Sequence, residues 1–153
     1  MNVFQADLAD TVGVAGLFDM YRQFYEQQTN IEAAYKFIHS RLTNKDSVIF
    51  VAKEGEEYVG FTQLYPTFSS ISMKKAWILN DLFVTKNNRK SGVAQQLLQS
   101  AMELARQTNA SYLTLEMALT NINAKKLYEK NGFVHDTEFE HYTLNLITVD
   151  NNG

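Results

Sequence analysis

A short run of residues, Asn88-Arg89-Lys90-Ser91-Gly92-Val93-Ala94, has the types and the order needed to hold an anion. It follows an apolar strand, Ile78-Leu79-Asn80-Asp81-Leu82-Phe83-Val84, and opens a stretch in which Ala94, Leu97, Leu98, Ala101 and Ala105 recur at helical spacing. The first N–H groups of a helix lack an intrahelical partner and carry the positive end of its dipole. The amides from Lys90 to Ala94 can therefore converge on a phosphate. Gly92 lets that backbone approach a ligand closely, Arg89 and Lys90 add formal charge, and Ser91 stands where an N-cap would. Neither Gly-x-x-x-x-Gly-Lys-Ser/Thr nor Gly-x-Gly-x-x-Gly occurs in the chain. Taken alone, the turn reads equally as an exposed basic cap on a helix.

The order Arg-x-x-Gly-x-Ala at Arg89 to Ala94, directly after a strand ending Asp81-Leu82-Phe83-Val84, resembles the acetyl-CoA-binding motif of the GCN5-related N-acetyltransferase (GNAT) family. A second stretch, from Asn121 through Ala124, Leu127 and Tyr128 to Gly132 and Phe133, resembles the helix that follows in that family. Ala94 departs from the usual Gly but remains compatible with a helix, so phosphate binding is expected to survive. The resemblance implies that acetyl-CoA is the cosubstrate. It implies contacts from Lys90, Ser91, Gly92, Val93 and Ala94, with the pantetheine arm along Leu82, Phe83 and Val84. Asn121 and Ala124 match cofactor-contacting positions, and Tyr128 matches the Tyr that protonates the departing thiolate. Two plainer readings stand beside these: Asn121 caps its helix, and Tyr128 packs its ring one turn from Ala124.

Amine acetylation from a thioester needs a neutral amine, a stabilised oxyanion and a proton for the leaving thiolate. An alkyl amine of pKa near 10.4 costs about 4 to 5 kcal/mol to deprotonate at neutral pH unless a base or the pocket assists. A backbone N–H at Leu82 to Val84 is the expected oxyanion donor. The base is harder to place, because the family often carries Glu where this chain has Asn80, and Asn cannot take a proton. Asp81 is one residue on, facing the opposite side of the strand unless a bulge intervenes. Glu116 on the neighbouring strand is a second candidate, and a water chain ending on either carboxylate is a third. Tyr21 and Tyr25, with Asn80, are the expected lining of the acceptor site, although aromatic residues at this spacing also serve as core.

These groups need elements to position them. A first strand is expected around Val3 and Phe4, with Asp7 or Asp10 as an N-cap, and Val14, Leu17, Phe18, Tyr21 and Tyr25 trace a helix through Gln27. A second helix from Asn30 carries Ile31, Ala34, Tyr35, Ile38 and Leu42 on one stripe. Strands are expected from Ser47 to Ala52 and from Tyr58 to Tyr65, the latter ended by Pro66, which has no N–H to donate. The segment from Thr67 to Met73 reads as a connection, and Lys74 to Val84 as the next strand. A strand from Ser111 to Met117, a helix from Asn123 to Lys130 closed by Gly132, and closing strands at Phe133-Val134 and His141 to Leu146 complete the order. The pattern predicts an α/β fold, with a mixed, mostly antiparallel sheet of about seven strands flanked by four helices. It forms one domain over residues 1–149, with a tail over 150–153.

Composition bounds the rest. The chain has 153 residues, enough for one core, and no Cys, which excludes disulfides, thiolate zinc sites and a cysteine nucleophile. His39, His135 and His141 lack ligand spacing, so no metal is expected. The net charge of −3 argues against a nucleic-acid footprint and suits a small cationic acceptor. No apolar run approaches a membrane span and the N-terminus lacks a signal-peptide pattern, so the expected location is the cytoplasm. The reading is therefore an acetyl-CoA-dependent N-acetyltransferase of a primary amine, with a small molecule as first acceptor class and a peptide N-terminus or lysine as second. A sensor that binds acetyl-CoA without turnover is the alternative from another class. A homodimer is also expected, from the resemblance and the aromatic closing strands.

Overall fold

The structure, a computed structural model, describes residues 1–147. The expected tail from Asp150 lies outside them. The chain divides into two compact units, Met1–Glu116 and a second beginning at Met117.

In the first unit, five strands lie in spatial order as in sequence: β1 Asn2–Gln5, β2 Val48–Glu54, β3 Glu57–Ser69, β4 Lys74–Val84 and β5 Leu113–Leu115. Neighbours are antiparallel except β5, which runs parallel to β4. The helices are α1 Thr11–Phe24, α2 Ile31–Asn44 and α3 Val93–Gln107. Residues 59–64 of β3 are all buried, as befits a strand covered on both faces. On one face Phe61 packs with Val14, Leu17 and Ile38 of α1 and α2. On the other, Val93 and Leu97 of α3 lie so close that a Cβ on Gly60 would stand 3.1 Å from Val93 Cγ1 and 3.2 Å from Leu97 Cδ1. The absence of a side chain at Gly60 thus sets how near the start of α3 comes to the sheet.

Several boundaries differ from the sequence reading for local reasons. Pro66 does not end β3, which continues to Ser69 with Pro66 opposite Trp77. The last β2 partner is Val48 opposite Leu64, so at Pro66 that edge of β3 is already open and the missing donor costs no ladder bond there. Helix α1 stops at Phe24 rather than Gln27, because the amides of Tyr25, Glu26 and Gln27 turn back onto carbonyls of residues 21 to 23. Asp7, not Asp10, is the side-chain cap, and it opens a short 3-10 turn, Leu8–Asp10, through a reciprocal capping box with Asp10.

In the second unit, α4 spans Ile122–Lys130. The expected strands at Phe133-Val134 and His141 to Leu146 are not formed among the described residues, which accounts for five strands in place of about seven. Val134, Tyr142, Leu144 and Leu146 are 84% to 91% exposed. Alternation alone makes no strand where no neighbour completes the ladder.

The connection between α1 and α2 is pinned by a buried carboxylate. Asp19 accepts from Thr29 Oγ1 at 2.5 Å, from the Asn30 amide at 2.7 Å and from Gln23 Nε2 at 3.2 Å, and Asn30 in turn caps α2 at the Ala33 amide. The Thr29 hydroxyl, followed by the Asn30 amide, holds Asp19 below the ordinary carboxylate range. Its stabilisation is therefore complete above the unfolded value and is lost as pH falls through the folded one. Asp19→Ala should lower stability near neutral pH by about 1 to 3 kcal/mol. Denaturant titrations at stepwise lower pH should show the gap from wild type closing, whereas a gap independent of pH would contradict the role.

Candidate active site

The site is built around an irregularity in β4. Gln63 of β3 stands opposite Asp81 while the next residue, Leu64, stands opposite Leu79, so Asn80 is the extra residue of a β-bulge. Residues before the bulge keep the first alternation: Trp77 reaches the C-cap of α3, its Nε1 donating to Thr108 Oγ1 at 2.8 Å. After it, Phe83 joins the α1 face, its ring 6.2 Å from Tyr21. The bulge therefore turns Asp81 to the α1 and α2 side, where unbroken alternation would have put Asn80. Thr62, fully buried, donates to the Asp81 carbonyl at 2.7 Å, which supplies a partner for backbone at the irregularity.

The Asp81 carboxylate is 4% exposed and is surrounded by donors. Gln63 Nε2 reaches Oδ2 at 2.8 Å and Asn80 Nδ2 reaches Oδ1 at 3.0 Å, and the Tyr21 hydroxyl also hydrogen-bonds to the group. Gln63 is itself oriented by Ser47, whose hydroxyl donates to Oε1 at 2.9 Å. Burial dominates over these donors and pushes the Asp81 pKa above the ordinary Asp value. Tyr65, two residues from Gln63 on β3, is pushed up to about 12 by burial and by the nearby Asp81 charge. The structure thus gathers Asp81, Asn80 and Tyr21, and Tyr25 joins them through a ring contact of 5.1 Å with Tyr21. Gln63, Ser47 and Tyr65 were not foreseen as site residues. The available signal was a glutamine in register with Phe61, two residues before it, on the core-facing side of the strand.

At the basic turn, Gly92 rather than Ser91 is the N-cap of α3, with φ 86°, a left-handed value that suits glycine. The Ser91 hydroxyl is occupied, donating to the Asn88 carbonyl at 2.5 Å. No side chain caps α3 among the described residues, so its first turn presents backbone donors rather than a closed cap. Lys90, also left-handed at φ 64°, is exposed. Arg89 folds back instead: its Nε donates to the Val84 carbonyl at 2.9 Å and its guanidinium lies over the rings of Phe24 and Phe83. The β5 ladder on β4 ends at Leu79 opposite Leu115, so along Asn80 to Val84, β4 has β3 as its one strand partner among the described residues. Leu82 is half-buried there and Phe83 and Val84 are buried, as is Val93, while Ala94 is half-buried. Glu116 is exposed, one residue past β5.

In the second unit, the Asn121 side chain caps α4 at the Ala124 amide, 3.1 Å away. The helix closes with Gly132 at φ 93°, its amide donating to the Glu129 carbonyl and that of Phe133 to the Tyr128 carbonyl, each at 3.1 Å. This paired closure brings the rings of Tyr128 and Phe133 to 5.7 Å, and Tyr128 is buried.

The inward carboxylate of β4 and the backbone donors at the start of α3 lie in the same unit. Residues 14–133 match the family model described as the acetyltransferase (GNAT) family, and the chain belongs to that family and is an N-acetyltransferase. The uncharacterized N-acetyltransferase YhfO of Bacillus subtilis is 48% identical over 146 residues, covering 95% of this chain and 98% of that one. A crystal structure of "a probable acetyltransferase" superposes with a TM-score of 0.91 at 43% identity, covering 96% of this chain and 99% of the other. Human N-alpha-acetyltransferase 30 is 31% identical over 109 residues, which are 71% of this chain and 29% of that protein. The family uses acetyl-CoA as cosubstrate. Among the described residues, no helix is long and apolar enough to cross a membrane.

The geometry makes two predictions. Excess acetyl-CoA should raise the melting temperature by mass action, and Gly92→Asp, which strains the left-handed cap and adds a negative charge at the helix start, should abolish the rise. An unshifted wild-type melt would contradict a cofactor site at this turn. Independently, a carboxyl whose folded pKa is raised costs stability once ionised, so the Asp81 contribution worsens as pH rises from the unfolded value through the folded one. Asp81→Asn should therefore be more stable than wild type at neutral pH, with the advantage shrinking on acidification. Melting curves across pH check it, and a constant or reversed difference would count against it.

Proposed function

We propose that the enzyme acetylates a primary amine of a small molecule, with Asp81 accepting the amine proton. Acetyl-CoA supplies the activated acyl group. The observation that supports this reading is the Asp81 carboxylate, turned inward by the bulge and buried among donors from Tyr21, Gln63 and Asn80. A raised carboxylate pKa makes a stronger base and narrows the gap to an alkyl amine. The ring of Tyr21, with Tyr25 beside it, offers an aromatic flank for a cationic acceptor. Of the backbone N–H groups from Leu82 to Val84, those of Leu82 and Val84 point away from β3, toward the edge that β5 does not reach among the described residues, and serve as oxyanion donors. Lys90 and the first α3 amides take the phosphates, since Arg89 is engaged by Val84 and the two rings. Tyr128 is the acid for the leaving thiolate, on the strength of the family match. A peptide N-terminal amine is the second reading, favoured by the identity to N-alpha-acetyltransferase 30.

A panel of small amines and short peptides, read by release of CoA thiol, decides between the acceptors. With whichever amine turns over, Asp81→Asn should lower kcat by roughly 10²- to 10⁴-fold, and Tyr128→Phe by roughly 10²-fold, with both proteins folded. Full activity in either variant would remove the role assigned to that residue.

A further inference from the structure

We propose that Gln63 is the positioning residue of the Asp81 carboxylate and that Ser47 fixes Gln63, so that the three form a directed chain of hydrogen bonds. The inference rests on the reading of Asp81 as the base and adds the groups that set it. Gln63 is fully buried in the middle of a strand, where a Leu or Val would pack without any polar partner. Its carboxamide is used at both ends, with Ser47 Oγ at 2.9 Å from Oε1 and Asp81 Oδ2 at 2.8 Å from Nε2.

The direction of the chain follows from chemistry. An ionised carboxylate only accepts, so it must face the NH₂ end of the amide, which leaves the oxygen to be met by a donor. A Ser hydroxyl supplies that donor. The reverse orientation would set the amide oxygen against the carboxylate, a repulsive pair. The ionised carboxylate therefore selects the amide orientation, and Ser47, whose hydroxyl could donate or accept, holds Gln63 in it by donating to Oε1. The other groups facing Asp81 are Tyr21 from α1, Tyr65 from β3 and Asn80 beside it in β4. The Arg41 and Asp46 pair, 2.8 Å apart, faces Tyr65, which also hydrogen-bonds to Gln63. Of the donors, Gln63 opposes burial most strongly. Without it, the carboxylate keeps its buried setting and loses its best-placed partner.

The test needs no acceptor. In ¹³C-labelled protein, the Asp81 carboxyl carbon is followed by NMR from acid to mild base, in parallel with melting temperature. Gln63→Met, close in size and without donors, should move the titration midpoint upward. Ser47→Ala should move it by a smaller step in the same direction, and Ser47→Thr should return it to the wild-type value. A midpoint unmoved in folded Gln63→Met would overturn the proposal. Should that variant fail to fold, the Ser47 pair decides: an unmoved midpoint in Ser47→Ala overturns it, and a shift restored by Thr supports it. The acceptor-dependent activity of Asp81→Asn is a separate readout, so a failed base assignment and a failed positioning chain give different results.

Discussion

The extra residue at Asn80 is the constraint on which the site depends, because a strand without it would carry Asp81 to the α3 side of the sheet. A carboxylate there would lie on the face where Val93 and Leu97 of α3 pack with Val59 and Val84, away from Gln63 and Tyr21. The bulge moves it across the sheet to Tyr21, Gln63 and Asn80. The same irregularity disturbs the backbone ladder, and Thr62 supplies a side-chain partner for the Asp81 carbonyl from the opposite face of β3. Side-chain placement and backbone satisfaction are thus solved by residues in register across one strand pair.

The remaining elements hold that strand pair between two helical layers. Phe61 and Phe83 anchor the α1 side, where the aromatic rings of Phe18, Tyr21 and Tyr25 form a continuous contact series toward solvent. On the other side, Gly60 admits α3 to close range, which fixes the height of the Gly92 turn above the sheet. Arg89 ties that turn to the end of β4 through the Val84 carbonyl and to the end of α1 through Phe24. The start of α3 and the carboxylate side of β4 are therefore mechanically connected through one guanidinium.

Much of this was legible in the sequence. Helical spacing in α3 and the apolar run in β4 located both elements, and β4 spans Lys74 to Val84 as expected. The helix starts after Gly92 and at Asn121 were legible because they depend on local backbone chemistry, which residue order encodes directly. The bulge could be named only as the condition for turning Asp81 inward, because it is a matter of register between two strands, which residue order does not fix. Gln63 was passed over for the same reason, since its role depends on what stands opposite. The alternation from His141 to Leu146 suggested a strand, yet alternation describes a face and not the partner that a ladder requires.

The central claim, that Asp81 takes the acceptor proton, is tested most directly by the pH dependence of kcat/KM at saturating acetyl-CoA, compared between wild type and Asp81→Asn with one turned-over amine. With Asp81 as the base, the wild type should show an acid limb set by ionisation of a carboxyl above the ordinary Asp range, on top of the ionisation of the amine itself. In Asp81→Asn that limb should vanish, leaving a slow rate that follows only the amine. The same acid limb in both proteins would contradict the account and place the base elsewhere.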